Sequence, residues 1–128
     1  MTSPEVTRQS VPVFDATVLR DMFGAEADVI AAVLQTFMAS MAASTADLQF
    51  ASARGDLAAL SAMAHRIRGA ARMSGALALA EAAQNLEQAA KEGAIPGAQQ
   101  AAAQLAGQWL LVQDDTALQA ACRARRLS

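Results

Sequence analysis

The chain holds one histidine, and its surroundings are unusual for so alanine-rich a sequence. In "AMAHRIRGAARMSGALALA", residues 62–80, His65 is followed by Arg68, Gly69, Arg72 and Gly75. Helical residues three, four and seven apart share a face, so His65 stands with Ser61, Arg68, Gly69 and Arg72. Inside a helix glycine is less favourable than alanine by about 0.5–1 kcal/mol, so Gly69, one turn from His65, implies that something must come close to the backbone there. Positive charge beside an imidazole favours its neutral form, which is the nucleophilic one. The same two arginines would stabilise a dianionic phosphoryl group placed on the ring. Spacing alone therefore leaves two readings open, a phosphoryl acceptor and an ordinary solvated surface histidine. "HRIRG" supplies no second metal ligand near His65, and no metal site is expected.

Helices must position this face. Alanine dominates an apolar fraction of 54%, while β-branched residues are scattered and aromatics make up 4%, so the fold class is all-α. Asp15 caps a short first helix over "ATVLRDMF", stopped by Gly24. A long second helix runs from about Glu26 to Ala53, with Ile30, Val33, Leu34, Phe37, Met41 and Leu48 as its inward stripe. Arg54-Gly55-Asp56 reads as a stop and restart rather than as an adhesion tripeptide. The third helix covers about Leu57 to Met73, with Leu57, Leu60, Ala64, Ile67 and Ala71 facing inward. Ser74 is expected to cap a fourth helix from about Ala76 to Glu92, which buries Leu79, Ala83, Leu86 and Ala90. A last helix is expected from Pro96 to Arg125, with Leu105, Trp109, Val112 and Leu118 in the core and a weak point at Asp114-Asp115. His65 lies about 100° around the axis from Ala64 and is expected on the surface. The architecture predicted is an up-down-up-down four-helix bundle with a short extra N-terminal helix: residues 1–12 form a flexible tail and residues 13–128 the bundle domain.

Composition narrows the function classes. A net charge of −2 argues against phosphate-driven nucleic-acid binding, and the basic "RARRL" end reads as a helix terminus. One cysteine, Cys122, allows no internal disulfide. Polar residues interrupt every apolar run short of the roughly 20 residues of a membrane span, and the start has no signal-peptide pattern, so a cytoplasmic protein with no membrane partner is expected.

"AHRIRGAARMSGALALAEAAQNLEQAA" resembles the histidine phosphotransfer (HPt) domains of two-component signalling, whose signature is Ala-His-x-Leu-Lys-Gly, a glycine ten after the histidine, then a Leu and a Leu-Glu pair. Ala64, His65, Gly69, Gly75, Leu79, Leu86 and Glu87 fall into register. The upstream stretch from Phe14, with Leu34 and Phe37, is also similar, and the likeness covers roughly residues 13 to 125. Two positions depart from the signature: Arg68 stands for the usual lysine and Ile67 for the usual leucine. Arginine keeps the charge but as a planar fork.

The resemblance implies that His65 is the phosphoacceptor, exchanging a phosphoryl group with the aspartate of a response-regulator receiver domain or taking it from a sensor histidine kinase. Arg68, Arg72 and Gly69 would serve the transfer, and Glu87 would hold the imidazole by a hydrogen bond. Met38, Ser61, Ala62, Met63 and Gly69 would meet the partner. The chain has no nucleotide-binding loop and no intrinsic cofactor is expected; Mg²⁺ would come with the receiver. Autonomous kinase activity is not expected, and neither is nucleic-acid binding; a monomer is. A helical module that binds a signalling partner without transfer is the alternative, and a self-associating structural bundle with an incidental His65 is a third.

Overall fold

A computed structural model of the chain describes residues 11–123. All the regular structure among them is helical: α1 (Ala16–Phe23), α2 (Ala27–Arg54), α3 (Leu57–Met73), α4 (Leu77–Glu92), α5 (Ile95–Asp114) and α6 (Thr116–Arg123). The first ten residues of the expected N-terminal tail and the basic end beyond Arg123 lie outside the described residues. The Pro12 carbonyl accepts from the Ala78 N–H at 2.9 Å.

Local chemistry sets the boundaries. The Asp15 side chain accepts the Thr17 N–H at 3.0 Å and starts α1. Gly55 closes α2 at φ 65°, where an L-residue would be strained, and the Asp56 N–H turns back to the Ala51 carbonyl at 3.0 Å. Asp56 then accepts from the Ala59 N–H at 3.1 Å and starts α3. Its carboxyl is held below the ordinary aspartate value by that backbone hydrogen bond first and by Arg54 next.

Gly75, at φ 78°, serves α3 as Gly55 serves α2, with the Ala76 N–H returning to the Ala71 carbonyl at 2.9 Å. Ser74 therefore ends α3 and does not cap α4, whose first turn follows Ala76 without a side-chain cap. Gly75 also carries a tertiary contact. Its carbonyl accepts from the Asp15 N–H at 2.8 Å, and a Cβ added to it would run into the Asp15 carbonyl. The start of α1 is thereby fastened to the α3–α4 turn.

The expected single last helix is two. Asp115 leaves helical geometry at ψ 120° and its side chain accepts the Leu118 N–H at 2.9 Å, so the residue that weakens α5 also starts α6.

The core joins all six helices. Leu34, Met41 and Leu48 of α2, Leu60 of α3, Leu79 and Leu86 of α4, Leu105 and Val112 of α5, and Leu118 of α6 are all buried, with Leu19 closing one end. Phe37 meets Trp109 edge-on at 6.4 Å. Of the expected inward positions, Ile30, Val33 and Leu57 are only half-buried.

By length and composition α2 could cross a membrane, which the reading of interrupted apolar runs did not anticipate. Its most apolar 18-residue window has a mean hydropathy of 1.5, and 28% of that window is buried within the bundle.

Candidate functional site

His65 sits near the middle of α3 because Leu60, Ala64, Ile67 and Ala71 take the inward stripe and leave position 65 outside it. Its side chain is 65% exposed. The neighbouring α4 turns Leu79, Ala83, Leu86 and Ala90 to the core, and Glu87, one position past Leu86, faces α3 at the edge of the buried layer. The Glu87 side chain is only 11% exposed.

His65 Nδ1 and Glu87 Oε2 are 3.2 Å apart. Arg68 lies between the two helices: its Nη2 is 3.3 Å from His65 Nδ1 and its Nη1 is 3.4 Å from Glu87 Oε1. Nδ1 cannot serve both neighbours at once, since the carboxylate needs a donor there and the guanidinium needs a lone pair. A bare Nδ1 would set its lone pair against a carboxylate oxygen, whereas Nδ1–H gives a charge-assisted hydrogen bond and leaves Arg68 to its ion pair with Glu87. The geometry therefore favours the tautomer with hydrogen on Nδ1 and the lone pair on Nε2. No hydrogen bond reaches Nε2 among the described residues.

Glu87 is surrounded by positive charge. Lys91 Nζ, one turn along α4, is 3.5 Å from Oε2, the same oxygen that faces His65. Oε1 is buried and receives no well-directed hydrogen bond, so Arg68 acts on it as a charge. Burial pushes the Glu87 carboxyl up, but Arg68, Lys91 and the His65 hydrogen bond outweigh it and hold the group below the usual glutamate value. Glu87 is thus an anion at neutral pH. Gln84 and Gln88 complete a shallow polar recess around it.

The remaining candidate residues divide into two sets. Gly69 is exposed, and a Cβ built on it would meet nothing within 4 Å, so no packing within the domain requires glycine there. Arg72 is exposed on the same face and forms no ion pair among the described residues. Ser61 is half-buried and Ala62 exposed. Met38 and Met63 are half-buried and packed against the core, so much of each is already engaged by the fold. Met63, two residues before His65, points about 200° away around α3. Met73 instead presents 47% of its surface, at the rim of an apolar groove with Phe23, Val33 and Phe37. Lys91 was not among the sequence candidates; its signal was its place four residues after Glu87 on a helix.

Among the described residues no three metal-binding side chains gather at one point. The site is thus an exposed helical histidine beside Arg68, with one ring nitrogen against a mostly buried carboxylate. Comparison with curated proteins and with solved structures finds no match. The family model described as "Hpt domain" matches residues 32–124, and the chain belongs to the Hpt domain family, whose work is phosphotransfer in two-component signalling.

Proposed function

We propose that this domain carries a phosphoryl group on His65 Nε2, exchanging it with the aspartate of a response-regulator receiver domain. The observation that carries this reading is the 3.2 Å contact between His65 Nδ1 and Glu87 Oε2, which favours hydrogen on Nδ1 and so leaves the lone pair on Nε2 of a largely exposed ring. Nε2 attacks the phosphorus of the aspartyl phosphate, the N–P bond forms as the P–O bond breaks, and the receiver carboxylate leaves with the bonding pair. The ring becomes cationic, keeps its Nδ1–H on Glu87, and is neutralised there. Reversal returns the phosphoryl group to an aspartate.

Arg68 and Arg72 offset charge on the phosphoryl oxygens, and Gly69 lets the partner approach the α3 backbone. Ser61, Ala62 and the exposed rim at Met73 extend the docking face, with Met38 and Met63 contributing only their exposed edges. Glu87, the carboxylate beside His65 among the described residues, has Arg68 and Lys91 on it, a set that repels a divalent cation, so any Mg²⁺ used in the transfer belongs to the receiver. The domain itself needs no cofactor and makes no phosphoryl group from nucleotide. A sensor kinase is the other source of phosphoryl groups that suits this site. Turns of two or three residues between α2, α3, α4 and α5 favour an up-down-up-down order for the four long helices. The polar outer positions Asp28, Gln35, Asp47 and Gln49 along α2 favour an aqueous, cytoplasmic setting.

The test is incubation with a phosphorylated receiver and Mg²⁺. Acid-labile, base-stable phosphate on the wild type and none on His65→Gln is the expected result. A receiver that binds tightly and never transfers would replace this reading with a binding-only module.

A further inference from the structure

We propose that Arg66, which the transfer chemistry leaves unused, selects the receiver by pairing with a carboxylate on the partner's docking surface, on the α2 side of His65. The inference rests on the phosphotransfer reading above and adds the chemistry of the surface that meets α3.

Charge is separated on this molecule. From Leu57 to Met73, α3 carries Arg66, Arg68 and Arg72 and no acidic residue. With Lys91 of α4 they set four cations around one carboxylate, Glu87. That is a surplus of three positive charges in a chain of net charge −2, so the rest of the chain carries −5. A positive patch on an otherwise negative molecule turns towards an acidic surface during encounter. The receiver of the proposed transfer presents one, since it brings the acceptor aspartate and the carboxylates that hold Mg²⁺.

The four cations are not equivalent. Arg68 and Lys91 lie 3.4 and 3.5 Å from the Glu87 carboxylate and are engaged by it. Arg66 and Arg72 are exposed and form no ion pair among the described residues. Arg72 lies only about 20° around α3 from His65, on the side of the transferred group. Arg66 lies about 100° away from His65, and the two side chains diverge. The His65 ring leans to Glu87 on α4, whereas Ala70, one turn after Arg66, lines the apolar groove with Val33 and Phe37 of α2.

The residues three and four away from Arg66 on its own helix are Ala62, Met63, Gly69 and Ala70, and none offers a carboxylate. Arg66 is thus an unpaired guanidinium at the edge of an apolar groove. The surface that fits it is an acidic residue beside an aliphatic one, on the partner segment that lies along α2 and α3. A partner with a basic residue there meets an uncompensated like charge and is rejected.

The probe is an unphosphorylated receiver domain that binds the wild-type chain in titration calorimetry. Binding should weaken about threefold to fivefold for Arg66→Ala and about tenfold or more for Arg66→Glu, with most of the affinity kept by Arg66→Lys. Helicity should be unchanged in all three. Raising salt from about 20 to 200 mM should weaken the wild type more than Arg66→Glu. In single-turnover transfer from the phosphorylated receiver, the half-saturating receiver concentration should rise for Arg66→Glu with the maximal rate unchanged. Wild-type binding by Arg66→Glu would overturn the proposal, and so would a loss confined to the maximal rate, which would place Arg66 in the transfer itself. Titration onto His65→Gln reads docking without transfer. An Arg66→Glu loss in that background, with no phosphate ever reaching the wild type, would uphold the docking role and overturn only the transfer reading.

Discussion

His65 Nδ1 and Glu87 Oε2 are 3.2 Å apart across the α3–α4 interface, a contact that favours hydrogen on Nδ1 and the lone pair on Nε2. The carboxylate is itself fixed by Arg68 and Lys91, so the ring is held by a group that has little freedom to leave.

Gly69 separates function from stability. With nothing within 4 Å of an added Cβ, Gly69→Ala should stabilise the fold by about 0.5–1 kcal/mol, read from thermal or urea unfolding. Gly69→Leu should stay folded and lose transfer from a receiver by about tenfold or more, the effect of misplacing the reacting atoms. Full transfer activity in the leucine variant would remove the close-approach role.

Glu87→Ala should slow transfer by about tenfold or more, as expected for loss of a hydrogen bond to a charged group, while Glu87→Gln, which can still accept from Nδ1–H, should lose less. Equal losses would mean that charge rather than the hydrogen bond matters.

Acid stability follows from the same residue. Its folded pKa is depressed, so the stabilisation from its ion pairs is present above the ordinary glutamate value of about 4.3 and is lost as pH falls through the lowered one. The stability difference between wild type and Glu87→Gln, measured by urea unfolding, should therefore shrink below about pH 4. A difference independent of pH would place the effect in packing.

Gly75→Ala should be the most damaging small substitution in the turns. It combines a left-handed backbone with a clash against the Asp15 carbonyl, and should lower stability by about 2 kcal/mol or more. Loss of the α1 amide protection in hydrogen exchange should accompany it.

Asp115→Ala should cost about 1 kcal/mol as a lost N-cap and should fray α6 selectively, visible as faster exchange at Leu118 and Gln119. Unchanged protection there would assign the α5–α6 break to the backbone alone.

Much of this was legible in the sequence. The Asp15 and Asp56 caps and the three-and-four spacing of Leu60, Ala64, Ile67 and Ala71 place α1 and α3 and put His65 outside, because each depends on neighbours within one or two turns. The split at Asp115 was less visible, since an aspartate weakens a helix interior and caps a helix start alike, and only Leu118 packing into the core decides between them. Ser74 looked like a cap by type, yet Gly75 closes the turn through the backbone. The meeting of Glu87 with His65 came from resemblance, because a contact between residues 22 apart depends on how α4 packs on α3. Lys91 was legible locally, as a cation four residues after Glu87 on one helix, but only the position of Glu87 beside His65 gives that pair a place at the site.

The most direct test of the central claim is nitrogen and phosphorus NMR on ¹⁵N-histidine protein, before and after phosphorylation by a receiver. With one histidine the assignment is unambiguous. The expected result is the Nδ1–H tautomer for the neutral form of the ring and, after transfer, phosphorus coupled to Nε2 with Nδ1–H retained. Phosphorus on Nδ1, or phosphate bound elsewhere with the His65 signals unmoved, would contradict it.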